Sequence, residues 1–219
     1  MAFDDLVKLM ATYFPNANIA YKDQSLLMKL LGYLLFFNPD FMTTFTTTIG
    51  NTIYFPSEDY VKAHPVSAQV ILLHEMTHLY DKKRLGTFLF TTSYLLPQLL
   101  APFTLLLLFV LSWKFVLPLF ILCLLPLPAY FRTYFEKRAY MVAMYVIYLL
   151  SKKENFDPKL TVKEEDFLGY IHGSGYYFMW PFAGINAEFD AATKNIEANN
   201  RPFTDDALFT MIEALIKNS

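Results

Sequence analysis

The chain has 219 residues, 55% of them hydrophobic, and a formal net charge of −2. That length suits one domain with elaborations, and the near-neutral charge offers no basic surface for nucleic acid. The single cysteine, Cys123, cannot build a disulfide framework within one chain, which agrees with a reducing compartment.

Residues 3–14 and 24–37 read as amphipathic or apolar helices on either side of the break Pro15-Asn16-Ala17-Asn18. No cleavable signal peptide is evident: the start is acidic at Asp4 and Asp5, and the apolar run from Leu26 carries Lys29. Phe41 to Ile49 is rich in Thr and Phe and predicts a strand. Gly50-Asn51 predicts a turn, and Thr52 to Phe55 a second strand. The edge of that second strand is a candidate for pairing with an extended peptide. Pro65 suits the first turn of a helix running to about Arg84.

Two runs without charge follow, Phe88 to Ser112 and Phe115 to Phe131. The first is long enough to span a bilayer and the second is at the short limit. Pro97, Pro102, Pro118, Pro126 and Pro128 interrupt them, so bent helices or a re-entrant pair remain open. The simplest expectation is a two-helix membrane hairpin over 88–131 with Trp113-Lys114 at its tip. The alternative is a very hydrophobic hairpin inside a soluble protein, for which the rest of the chain is a small cover. Lys82, Lys83 and Arg84 before the runs, and Arg132, Lys137 and Arg138 after them, place both bases on the cytoplasmic side. Arg132 to Leu150 then reads as one long helix, Val162 to Ile171 as a short one. Gly184 to Asn199 and Thr204 to Lys217 read as two closing helices, with Thr204 as N-cap of the last.

The motif that carries chemistry is His74-Glu75-Met76-Thr77-His78. Histidines four apart on a helix project from one face, one turn apart, and reach one metal ion together. The glutamate beside the first can take a proton from a water on that metal. This is the HExxH arrangement of zinc hydrolases. Two histidines do not complete a catalytic zinc site, and no third histidine follows at metzincin spacing. Glu136 is the leading third ligand, because a lone carboxylate on a helix apolar nearly all round needs a cation. Ala139 and Ala143 on its side would permit a close helix approach. A pairing of Glu136 with Arg132, one turn earlier, is the plainer alternative. Glu188, in Glu188-Phe189-Asp190-Ala191 on a more polar helix, is the runner-up ligand. Asp81 could orient a ligand or lie on a solvated face. The tetrahedral oxyanion of acyl transfer needs a further donor. His172, Tyr176 and Tyr177 flank the turn Gly173-Ser174-Gly175 and are the candidates, although a tyrosine pair also suits packing or an interface belt.

Residues 52–85, from Thr52-Ile53-Tyr54-Phe55-Pro56 through the HEMTH helix, resemble the core of gluzincin-type (HExxH…E) zinc metallopeptidases. Glu136-Lys137-Arg138-Ala139 resembles their later third-ligand motif. The placement of uncharged runs between these motifs is similar to the HtpX-like and CAAX-prenyl-protease membrane peptidases. Tyr140 stands where those families carry aspartate, and their paired N-terminal transmembrane helices have no counterpart here. Glu188-Phe189-Asp190-Ala191-Ala192 also matches part of their EFxAD pattern. The resemblance implies a divergent, minimal form of that fold.

The expectation is therefore an α+β, mostly α-helical chain. A zincin-like core with a small β-hairpin spans residues 1–87 and 132–219, and a two-helix membrane hairpin over 88–131 is inserted in it. The expected function is a membrane-associated zinc metalloendopeptidase with Zn2+ on His74, His78 and Glu136 and with Glu75 as general base. Its partners would be a peptide or protein substrate and membrane lipid, with no nucleic acid. It would be an integral membrane protein with its active site on the cytoplasmic side. The alternatives are a catalytically inactive zinc-binding membrane adaptor of the same fold, and a membrane protein with an accidental motif.

Overall fold

The computed structural model describes residues 3–36, 38–124, 129–152, 164–172 and 184–218. The chain is mostly helical with one small three-stranded sheet. Helix α1 (Phe3–Tyr13) leads into strand β1 (Asn18–Tyr21), a 3-10 turn over Lys22–Gln24 and helix α2 (Leu26–Leu34). Ser25 caps α2 by accepting from the Met28 amide at 3.3 Å. Strands β2 (Thr47–Ile49) and β3 (Thr52–Phe55) form the antiparallel hairpin expected around Gly50-Asn51. Gly50 supplies the positive φ of that turn, at 60°. Short helix α3 (Glu58–Ala63) was not foreseen; Ser57 caps it through the Tyr60 amide at 3.0 Å.

Two expectations about the sheet need correction. The strand expected from Phe41 shrinks to three residues. Lys22, fully buried, donates to the Phe41 carbonyl at 2.6 Å and sits 3.9 Å from its ring centre, holding Pro39–Phe41 in a 3-10 turn. The sheet order is β1-β3-β2, with β1 parallel and β2 antiparallel to β3. β3 is therefore the central strand and has no free edge. The outer strand beside the motif is β2.

Helix α4 (Pro65–Leu85) begins with proline at its first position and ends at Gly86, whose φ of 84° stops the helix. It is buried over much of its circumference. Leu72, Leu73 and Met76 have no exposure, each contributing about 1.5–3 kcal/mol of hydrophobic burial. Helix α8 (Tyr130–Ser151) packs along it. Helix α11 (Asp206–Asn218) and α1 pack against this pair, and β3 adds Ile53 and Phe55 to the same core. Helices α9 (Glu164–His172) and α10 (Ile185–Glu197) lie against α8 and enclose a second cluster around Phe167, Ile171 and Phe189. Asp205, not Thr204, caps α11 by accepting from the Leu208 amide at 3.2 Å.

The uncharged region is more broken than a simple hairpin. Helix α5 (Thr87–Leu95) is followed by 3-10 and α pieces, among them α6 (Ala101–Thr104), and then by α7 (Trp113–Leu124). Among the described residues no single helix is long and apolar enough to cross a membrane. The pair Thr87–Leu95 and Gln98–Phe109 is so by length and composition, bent by 93° at its break. Many of its side chains face outward, Phe88 at 79% and Phe109 at 89% exposure. The flanking cations are less free than their sequence positions imply. Lys82 is buried and donates to the Gly50 carbonyl and the Asn51 side chain, tying the β2–β3 turn to α4. Arg132 and Arg138 are buried as well.

Candidate metal centre

His74 and His78 lie one turn apart on α4, their ring centres 5.0 Å apart. Glu136 comes from α8 and is 2% exposed. Its Oε2 stands 3.3 Å from His74 Nε2, and its Oε1 3.4 Å from His78 Nε2. One donor atom from each of the three lies within 4.8 Å of the others, the geometry of a group that could hold one metal ion. Arg132, the plainer partner for Glu136, donates to the Tyr94 carbonyl at 3.1 Å and to Gln98 Oε1 at 2.8 Å. Glu188 pairs with Lys137, is half exposed, and stands outside the group.

The donor set fits a divalent cation. Two imidazoles and a carboxylate are brought together in a buried position, and both Glu136 Oε2 and His78 Nδ1 lack a hydrogen-bond partner there. Burial works against charge at His78. The Glu136 charge and hydrogen bond, with Glu75 and Asp81 behind them, outweigh it and raise the imidazole to about 9. Burial likewise works against the Glu136 carboxylate, and the His78 charge, with the His74 charge beside it, holds it well below the usual range.

Three further contacts set these side chains in place. Asp81 does not orient a histidine. It is buried and accepts from Arg138 Nε at 3.2 Å and a terminal nitrogen at 3.1 Å, and Arg138 also donates to Asp205 at 2.8 Å. This triad joins α4, α8 and the cap of α11 two residues from Glu136. The Tyr140 ring packs on His74 with centres 4.7 Å apart. Ala139 and Ala143 are buried, as a close helix approach requires.

Glu75 is buried beside this group. Its Oε2 accepts from the Thr48 hydroxyl at 2.6 Å, so strand β2 holds the carboxylate. The group forms part of the wall of a cavity of about 660 Å³. Thr46 to Gly50, Leu31 of α2 and its C-cap Leu35, and Phe90, Tyr94 and Leu95 of α5 complete much of its lining. Comparison with protein-family models, curated proteins and solved structures finds no match. The case for this centre rests on its own geometry.

Of the candidate oxyanion donors, His172 ends α9 with its ring 3.1 Å from Asn186 Oδ1, exposed and outside the cavity lining. Tyr176 and Tyr177 lie outside the described residues. Sequence reasoning missed Thr48 and Tyr94. Thr48 had a signal, since it lies in the first strand of the hairpin expected ahead of the motif helix. Tyr94 was hidden inside a run whose composition points to lipid.

Proposed function

We propose that the chain is a membrane-associated zinc metallopeptidase. The observation that carries this reading is the His74–His78–Glu136 group on the wall of a cavity, with the Glu75 carboxylate directly beside it. A zinc ion held by those three side chains would supply an acidified water and polarise a peptide carbonyl. Glu75 accepts the proton of the attacking water and delivers it to the amine as the C–N bond breaks. The Thr48 hydroxyl engages one oxygen of Glu75 and orients the carboxylate for that transfer. An extended substrate would pair with β2, the outer strand, whose residues line the cavity.

Membrane association is supported by apolar side chains facing outward on two sides of the cavity. On α2, Leu26, Leu30, Tyr33 and Leu34 are exposed, while Leu31 and the C-cap Leu35 line the cavity. On α5, Phe88 and Leu89 are exposed, while Phe90 and Tyr94 line it. Exposed apolar surface flanking a site is the mark of a lipid or partner contact. A cytoplasmic active site rests on the exposed basic residues Lys83 and Arg84 at the base of the uncharged region.

The test is elemental analysis combined with turnover. The wild type carries close to one zinc per chain and cleaves an unfolded protein such as casein. Glu75→Gln keeps the zinc and loses roughly 10² to 10⁴-fold in rate. Zinc with no cleavage in the wild type would turn the reading toward the adaptor, and no zinc would end it.

A further inference from the structure

The metal centre and the uncharged region meet at one side chain, Tyr94. It belongs to α5, and its hydroxyl donates to Glu136 Oε1. Its ring is fixed on several sides. It stacks on Phe90 with centres 5.8 Å apart, lies 6.5 Å from Phe135 at a shallow angle, and meets His78 edge-on at 5.9 Å. Its carbonyl accepts from Arg132 Nε at 3.1 Å, and the same guanidinium lies 5.4 Å from the Tyr94 ring centre. Arg132 also holds Gln98, just past the break after α5. One turn of α8, carrying Arg132 and Glu136, thus grips α5 by backbone, ring and hydroxyl.

The consequence falls on Glu136. A carboxylate has two oxygens and binds a metal through one or both. Tyr94 engages Oε1, whereas Oε2, 3.3 Å from His74 Nε2, is buried without a hydrogen-bond partner. An oxygen already accepting from a hydroxyl is the poorer donor, and the bare one is left for the metal.

We propose that Tyr94 is a positioning residue for the metal site, holding Glu136 so that it ligates through Oε2 alone and making metal affinity depend on the seating of α5. This rests on the metal-binding reading above. Partners that orient a ligand in this way typically change metal affinity 10 to 100-fold when removed. The hydroxyl is the group that matters, because the aromatic packing survives its loss.

The experiment uses the full chain in detergent, stripped of metal. Zinc affinity is measured by competition with a chromophoric chelator, and the visible spectrum is recorded at saturating Co2+. Tyr94→Phe keeps the ring and removes the hydroxyl. The expected result is a zinc affinity lowered roughly 10 to 100-fold. A changed cobalt spectrum should accompany it, as the freed carboxylate becomes able to bind through both oxygens. Tyr94→Leu, lacking ring and hydroxyl, should share the spectral change. Tyr94→Phe with wild-type affinity and spectrum overturns the proposal while leaving the metal site standing. Weaker binding with an unaltered saturated spectrum also overturns it, because that marks a purely structural role. A wild type that binds no zinc overturns the metal-binding reading and this inference with it.

Discussion

Arg138 grips Asp81 with two guanidinium nitrogens, at 3.1 and 3.2 Å, across the contact between the helix of the histidines and the helix of the glutamate. Both side chains are buried, and Asp205 completes the charge balance at 2.8 Å. The pair sets the axial register of α4 against α8, and so the height of Glu136 over the histidines. Removing one partner strands a buried charge. Arg138→Met should lower unfolding free energy by about 3–5 kcal/mol in urea titration. Lysine at this position should recover only part of the loss, because it lacks the forked geometry that engages both carboxylates.

Thr48→Val removes a hydroxyl from the Glu75 carboxylate while nearly preserving volume. A hydrogen bond to a charged group contributes about 1.5–3 kcal/mol. Peptide hydrolysis should fall roughly 10 to 100-fold, with zinc content unchanged, because Glu75 is not a ligand. Serine at position 48 should restore most of the rate. A valine variant as fast as the wild type would remove β2 from the chemistry.

Glu136→Ala and Glu188→Ala should separate cleanly. The first deletes a donor from the buried group, and zinc should be lost on dialysis. The second deletes an exposed partner of Lys137, a pair whose contribution is at most about 1 kcal/mol. Full zinc retention in Glu136→Ala would make the clustering of the three side chains irrelevant to metal.

Lys22 supplies a pH signature. Its burial lowers the ammonium from its ordinary 10.5 to about 8, despite the opposing pull of Glu75. Below about 8 both folded and unfolded chains hold this proton, and the contribution is flat. Between 8 and 10.5 the unfolded chain binds more of it, so stability rises with pH relative to a chain without the lysine. The wild type should therefore gain up to about 3 kcal/mol on Lys22→Met across that window. Parallel stability curves for the two proteins would show an ordinary lysine.

The purified protein should float with phospholipid vesicles in a density gradient. Leu30→Asp together with Leu34→Asp on α2 should reduce the bound fraction, since both side chains face outward. Recovery of the wild type as a monodisperse monomer without detergent would contradict the membrane reading.

Much of the clustering of His74, His78 and Glu136 was legible because its signals are local. Pro65 marks the start of α4, and the four-residue spacing places both histidines on one face. Glu136 was legible because a carboxylate on an apolar helix needs a reason to be there. Glu188 could be weighed against it because its helix offers solvent. What escaped is long-range. Strand β1 is four residues long, and its parallel partner lies more than thirty positions away, beyond the reach of any alternation pattern. The Asp81–Arg138–Asp205 triad joins residues from three distant segments. Its members individually read as solvated charge or as the marks of a membrane boundary. The Phe41 region has strand composition, and a buried lysine's claim on a carbonyl overrides it.

The turn at Gly50-Asn51 is tethered by Lys82, which lies four residues beyond His78 on the same helix. Exposed hairpin turns are ordinarily the natural place to graft an epitope, a fluorophore or a purification handle. Here an added loop would pull on the anchor of β2 and, through Thr48, on the carboxylate of Glu75. A reporter inserted at this turn would disturb the setting of Glu75 that it was meant to leave alone, so labels belong elsewhere on the chain.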